Sequence, residues 1–347
     1  MIDVGVRQLE PGEVLHLPSE LALRAGFCGL DAWSEFVQSV YPFSVYRLIA
    51  EREGNPEGLM VLTQVRHPVF GNYLTTAPFA SYGGYLAASP EARTGLLSEA
   101  HRLAQSLGAD YVLARHADGE ERPPEGWVQF PGYATYRIAL PVKAETLLPS
   151  YSSDHRNHVR KSLRKGFSIR FGRHELLQDA YKVIARSMHE LGSPYHNQRY
   201  LGAMLERLGE KLEFAVVYDR DGHLAGGGAL IYHGKTANNL HANILRRYRS
   251  DYAGEFLYWA ILEHCCELGM QIFDLGRSLA GSGNEAFKMK WKPERQTLAY
   301  WYALRPGAAL PELNQKNPKY RFAIEIWKRL PRPLVHWLGP FLIRGLA

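Results

Sequence analysis

FDLGRSLAGSGNEAFKMKW, residues 273–291, opens as a buried strand, passes a loop bearing Gly276, Gly281 and Gly283, and leaves through Lys288, Lys290 and Trp291. QIFDL supplies the strand, and the pattern at 254–268 just before it reads as a helix stopped by Gly269. A helix feeding a strand that ends in a polar glycine loop is the building unit of an open α/β sheet, whose ligands gather at the strand ends. Gly281-Ser-Gly283-Asn-Glu-Ala286 spells GxGxxG/A, but it lies late in the chain with no βαβ unit after it, so the dinucleotide fingerprint fails its context. Gly276 and Gly281 have the spacing of a phosphate-binding P-loop, yet Ser282-Gly283 stands where Lys-Ser/Thr would hold phosphate and magnesium.

With both nucleotide folds set aside, the chemistry of the stretch can be read directly. Asp274, Arg277 and Ser278 fall where the strand ends, and Lys288, Lys290 and Lys292 alternate, so an extended FKMKWK would project them to one face. Such a face suits an anionic substrate, and a cation there can steady the oxyanion that acyl transfer creates. A plainer reading stays open, in which Asp274 caps the loop and pairs with Arg277.

Working outward, the second half reads as a basic helix at 151–165, a strand at 167–172 and helices at 175–191 and 198–208. Strands follow at 213–218, 224–232 and 236–244, the first two joined by the turn DRDGH. The first half has a short helix at 31–40 and strands at 45–50, 59–65 and 70–76. A helix at 90–107, with Ser89 as N-cap and Pro90 at its first position, leads to a strand at 110–116 and a return strand at 134–140. The same order occurs twice, which predicts two copies of one α/β (α+β) domain, each a mixed central sheet flanked by helices. The expected division is 1–148, 149–310 with the main candidate site, and an amphipathic helical tail at 311–347.

The 347 residues suffice for two domains, and 46% hydrophobic with 22% charged residues is an ordinary globular balance. A net charge of +6 favours polyanionic partners without choosing among them. It concentrates in YSSDHRNHVRKSLRKG (151–166), where Arg156, Arg160 and Arg164 recur every four residues and Val159 and Leu163 mark the expected buried side. Like charges at that spacing repel, so a bound polyanion would relieve them. The N-terminus lacks a basic head and apolar run, so a cytoplasmic start is expected. Cys28, Cys265 and Cys266 lack metal or redox spacing and read as buried thiols. HExxH and GxSxG are absent, and His233 with His241 across a hairpin is only a weak metal pair, so no metal site is expected. The segment 333–346 is apolar, aromatic and basic, and too short to cross a bilayer. It either packs on the core or lies on an anionic membrane face.

Three stretches carry a resemblance. The helix ending RKSLRKG, the segment HANILRRYRSDYAGEFLYWAILEHCCELGM, and FDLGRSLAGSGNEAFKMKW resemble the FemAB family of aminoacyl and peptidyl transferases, within the acyltransferases of GNAT fold. The GRS loop, the F-K-x-x-W string and the tail NPKYRFAIEIWKRLPRPLVHWLGP are most similar to FemAB-related proteins of exosortase/PEP-CTERM exopolysaccharide systems. The resemblance implies tandem GNAT-like domains, with a ligand groove on the second or between the two. It also implies transfer of an amino acid from aminoacyl-tRNA to the amine of a peptidoglycan, peptide or glycan precursor, without metal or redox cofactor. Lys288, the lysine of F-K-x-x-W, would steady the oxyanion or an anionic substrate. Arg277 and Ser278, with Gly281, Gly283 and Lys290 of the same loop, would position the substrate. Arg160 with Arg164 would touch phosphate, Arg156 on the same helix is a further substrate-binding candidate, and Asp274 and Tyr252 are the candidate bases. In place of the R/Q-x-x-G-x-G/A loop that cradles CoA stands Arg249-Ser-Asp-Tyr-Ala-Gly254, which disfavours acetyl-CoA. Two other readings are carried: an acetyl-CoA-dependent N- or O-acetyltransferase, and a non-catalytic polyanion-binding module. The expected location is cytoplasmic, with peripheral contact at the inner membrane.

Overall fold

The computed structural model describes residues 4–10, 12–14, 16–117, 122–130, 132–311 and 318–347, which divide into two compact units. The first runs to residue 134 and includes 296–311 and 344–347. Its strands are β1 (Gly5–Gln8), β2 (Ser44–Arg52), β3 (Asn55–His67), β4 (Gly71–Thr75), β5 (Tyr85–Ala87), β6 (Tyr111–His116), β7 (Trp127–Phe130) and β16 (Ala299–Leu304), and its helices α1 (Ser19–Ala25), α2 (Asp31–Val40) and α3 (Pro90–Ser106). The sheet order is β1-β2-β3-β4-β6-β16-β7, with β5 on β3. β2, β3 and β4 are antiparallel neighbours, and α3 then carries the chain over to β6, which lies parallel to β4. Ser89 caps α3 as expected, its hydroxyl accepting from Ala92 N at 3.2 Å. The buried face of α3, Leu96, Leu97 and Ala100, packs with Leu48, Met60, Leu62, Leu74, Val112 and Trp301 of the sheet.

The second unit comprises 135–295 and 312–343. Its strands are β8 (Tyr133–Ala139), β9 (Ser168–Gly172), β10 (Leu212–Tyr218), β11 (Leu224–His233), β12 (Thr236–Ile244), β13 (Ile272–Asp274), β14 (Ser278–Leu279) and β15 (Glu294–Thr297). The helices are α4 (Ser153–Leu163), α5 (Leu177–Leu191), α6 (Gln198–Leu208), α7 (Ala253–Glu267), α8 (Gly283–Met289), α9 (Pro318–Trp327) and α10 (Arg332–Arg344). The order is β14-β8-β13-β12-β11-β10-β9, with β15 on β8. Here too three antiparallel strands, β10, β11 and β12, are followed by a helix, α7, and a parallel strand, β13. The doubling predicted from the sequence is therefore present in the topology.

Two local features explain how this sheet closes on its helices. Gly226, Gly227 and Gly228 of β11 sit where neighbours come too near for a side chain: a Cβ on Gly227 would lie 2.5 Å from Val183 Cγ1 of α5, and one on Gly228 would lie 2.8 Å from His241 O. α7 ends at Gly269, φ 68°, whose N–H donates to Cys266 O, while Met270 N donates to Cys265 O. Cys28, Cys265 and Cys266 are all buried free thiols.

One strand goes elsewhere than expected. ATYRIAL, read as the return strand of the first layer, lies in β8 and pairs with β13 of the second sheet, Ile272 opposite Ala139 and Asp274 opposite Arg137. The first sheet is closed instead by β16, whose Ala299 lies opposite His116 and Leu304 opposite Tyr111.

Candidate functional site

The parallel pair in the second sheet is short. Thr236, Ala237 and Asn238 of β12 lie opposite Ile272, Phe273 and Asp274, and no further rung follows although β12 continues to Ile244. The strand ends part there, and the 273–291 stretch turns away from the parting.

Asp274 anchors that turn. It is 2% exposed. One carboxylate oxygen accepts from Thr135 Oγ1 at 2.6 Å and from Gly276 N at 2.8 Å, and the other from Arg137 Nε at 3.2 Å. With the carboxylate holding its N–H, Gly276 takes φ 73°, a left-handed conformation that a side chain would strain. The turn leaves the carbonyls of Gly276 and Arg277 aimed at one atom, Lys288 Nζ, which donates to them at 2.7 and 2.9 Å. Lys288 is 3% exposed and its ammonium lies 5.5 Å from the centre of the Tyr136 ring. Burial pulls its pKa down to about 7, Asp274 opposing and Arg277 adding to the fall.

Lys288 reaches that position because 283–289 is helical. Ser282 caps α8 by accepting from Glu285 N at 3.2 Å, and Glu285 accepts from Gly281 N at 2.6 Å, one residue before the cap, a variant of the S-x-x-E capping box in which Ser282 N itself donates to Leu279 O. The other oxygen of Glu285 accepts from Tyr136 Oη at 2.5 Å and lies 3.4 Å from Arg295 Nε. The Tyr136 hydrogen bond and that from Gly281 hold the Glu285 carboxyl below its ordinary range. Burial, then Glu285, pushes the Tyr136 phenol up to about 12. Ser278 is buried, its hydroxyl accepting from Asn284 Nδ2 at 3.1 Å.

The model of the acetyltransferase (GNAT) domain family matches residues 153–289. No curated protein matches the sequence. Among solved structures, FemX is similar at TM-score 0.61 and 14% identity, over 89% of this chain and 99% of that one. A tandem GNAT protein from the clavulanic acid biosynthesis pathway is similar at TM-score 0.56 and 12% identity, over 89% of this chain and all of that one, 100%. The C-terminal domain of a protein named as a lysylphosphatidylglycerol synthetase of Agrobacterium fabrum follows at 0.55 and 15%, over 82% and 90%. The fold is the tandem GNAT fold. The matched stretch takes in β12, α7, β13 and nearly all of the 273–291 segment.

Set on this GNAT scaffold, the residues singled out in the sequence form two groups. Lys288, Asp274, Arg277, Ser278 and Gly281 belong to the turn just described, and Gly283 is the exposed first residue of α8. Tyr252 belongs to the second group, around α4. It begins α7 at φ 61°, its ring stacked on His158 at 4.5 Å and lying 5.9 Å from Lys161 Nζ. Arg160 and Arg164 are exposed on that helix. Arg156 is spent locally, bonding the carbonyl of Tyr151.

Several expectations are corrected by this geometry. FKMKWK is helical and turning, so its lysines diverge: Lys288 points inward, whereas Lys290 is exposed and lies 3.9 Å from Glu255, and Lys292 is exposed at φ 53°. Arg137, from a strand assigned by sequence to the other layer, makes a 3.2 Å ion pair with Asp274 that the sequence reading did not foresee. Leu163 is 49% exposed, and the inner side of α4 is His155, Val159 and Ser162. His233 faces Thr236 and His241 faces Ala229, so the two do not meet. Asp219, Asp221 and His223 bring ligand atoms within 4.8 Å of one another, but Asp219 already accepts from Asp221 N, His223 N and Tyr248 Oη in closing the DRDGH turn. The sequence reading missed Tyr136, Thr135 and Glu285; only Glu285 carried a signal, as the fourth residue of the Ser282 capping box.

Proposed function

We propose that this GNAT-fold protein is an acyl or aminoacyl transferase of FemAB type, acting from the cytoplasm on a cell-envelope or exopolysaccharide precursor at the membrane's inner face. The observation that carries the reading is the buried Lys288, held by two backbone carbonyls beside the parted strands. A charged Nζ has three N–H groups and the carbonyls take two, so one remains to meet an oxyanion.

In the reaction, the acceptor amine attacks the carbonyl carbon of an activated ester or thioester and forms a C–N bond. Negative charge collects on the carbonyl oxygen, next to Lys288. The C–O or C–S bond then breaks, the leaving group keeps the electron pair, and the amine proton passes to a base. Asp274, with both oxygens engaged, positions the turn that holds Lys288. Arg277, Ser278, Gly281, Gly283 and Lys290 line the acceptor side in this reading, and Tyr252 with Arg160 and Arg164 lies on the side of a phosphate-bearing donor. The donor is aminoacyl-tRNA, and no metal or redox cofactor takes part. The name of one structural neighbour, a lysylphosphatidylglycerol synthetase domain, refers to a phospholipid and is in keeping with a substrate at a membrane. The link to PEP-CTERM and exosortase systems rests on the sequence resemblance alone.

The match of 153–289 to an acetyltransferase model favours a second reading, transfer from acetyl-CoA. Equilibrium binding of charged tRNA and of acetyl-CoA to one preparation at two salt concentrations separates them. Salt-sensitive binding of charged tRNA without CoA binding is expected; binding of CoA alone would give the protein to the acetyltransferases. Salt-sensitive polyanion binding with no acyl product from either donor would make it a binding module.

A further inference from the structure

α10 packs on the second unit through Val335 and Gly339. Val335 is 7% exposed, and Gly339 lies so close to Tyr195 that a Cβ would stand 2.7 Å from its carbonyl oxygen. Leu334, Trp337 and Phe341, spaced i, i+3 and i+7, are 45%, 76% and 36% exposed. α9 shows the same division. Trp327 is buried, its carbonyl accepting from His189 Nε2 at 3.1 Å, while Phe322 and Ile326 are 70% and 44% exposed. From 326 to 347 the charged side chains are Lys328, Arg329, Arg332 and Arg344, with no Asp or Glu among them. Arg329 and Arg332 are exposed.

An exposed tryptophan among aliphatic and aromatic neighbours, beside two exposed arginines and with the acidic Glu325 of α9 already paired to Lys328 at 2.6 Å, matches the interface of an anionic bilayer: rings sit at headgroup depth and guanidinium groups meet phosphates. α10 has 13 residues. It is therefore about 20 Å long, short of the ~30 Å hydrocarbon layer. No helix among the described residues is long and apolar enough to cross a membrane. Its contact with Tyr195 keeps one side on the protein, so it can only lie flat. We propose that the exposed sides of α9 and α10, through Phe322, Ile326, Leu334, Trp337 and Phe341 with Arg329 and Arg332, dock on an anionic phospholipid surface. This rests on, and deepens, the reading of a transferase that works at a membrane, but it stands on residues separate from Lys288.

The test is flotation of the full chain with vesicles of phosphatidylcholine alone or with phosphatidylglycerol added, at low and high salt. The protein should float with the anionic vesicles only, and high salt should release it. Trp337→Glu should abolish flotation, and Arg329→Gln/Arg332→Gln should weaken it roughly thirtyfold. Both variants should keep the urea midpoint and the turnover of a water-soluble acceptor, because these side chains are exposed. Lys288→Ala should float normally, so loss of catalysis and loss of docking are told apart. No flotation, flotation indifferent to lipid charge, unchanged flotation of both variants, or a dimer in solution that Trp337→Glu dissolves would each overturn the proposal.

Discussion

At the scale of one residue, Lys288 carries the most specific expectation. Its ammonium is the form that can donate to an oxyanion, and its pKa sits at about 7. The active fraction therefore falls as pH rises through 7, giving turnover an alkaline limb there. Lys288→Ala should cost about a hundredfold or more in kcat, the usual loss of one oxyanion donor, with the urea midpoint showing an intact fold. Lys288→Arg, if it retains measurable turnover, should lack the limb, because a guanidinium stays charged throughout. A limb that persists in the arginine variant would assign the titration to another group. The lysine itself was legible in the sequence from F-K-x-x-W. Its environment was not, because the two carbonyls that hold it depend on Asp274 bonding Gly276 N, a contact that residue types alone do not announce.

At the scale of elements, the misreading of residues 287–292 has a plain cause. Phe-Lys-Met-Lys-Trp-Lys alternates apolar and charged, which is the period of a strand. The capping signal that overrides it lies outside the segment, at Ser282 and Glu285. β8 was misplaced for a different reason: its sequence suits either sheet, and only the pairing with β13 decides. Helices with clear ends, such as α3 and α7, were legible because Ser89, Pro90 and Gly269 punctuate them. β11 offers a test of packing. Gly227→Val would drive a branched side chain into Val183 of α5, and overpacking of this kind costs about 1–3 kcal/mol or more. A urea midpoint equal to wild type would mean that α5 moves aside freely. α4 offers a test of function. Arg160→Gln/Arg164→Gln should weaken binding of charged tRNA and shallow its salt dependence by up to two phosphate contacts, without changing stability. An unchanged salt slope would take α4 out of the donor site.

For the whole molecule, the doubled topology was legible because three strands, a helix and a further strand punctuate both halves alike. How the chain divides its last strands was not, since β8 and β16 are similar in composition and each closes the sheet that the linear order would give to the other. The buried histidines then set a global property that no single motif predicts. Burial lowers His155 and His241 to about 4 and lowers His196 as well. An unfolded histidine titrates near 6.5. Between these values the unfolded chain binds protons that the folded chain refuses, so stability rises with pH across the window and is lost as pH falls from about 6.5 toward 4. The lowered carboxyls of Glu213 and Glu285 act in the same direction but only nearer their own range, below about 4.5. Urea midpoints measured across pH should therefore fall already between 6.5 and 5, before carboxylates titrate. His155→Phe removes one proton acceptor from a site walled by Tyr151 and Trp291, whose rings lie 5.3 and 4.5 Å away. It should make the fall in that window less steep. An equal slope in the variant would mean that His155 is protonated as readily in the fold as out of it.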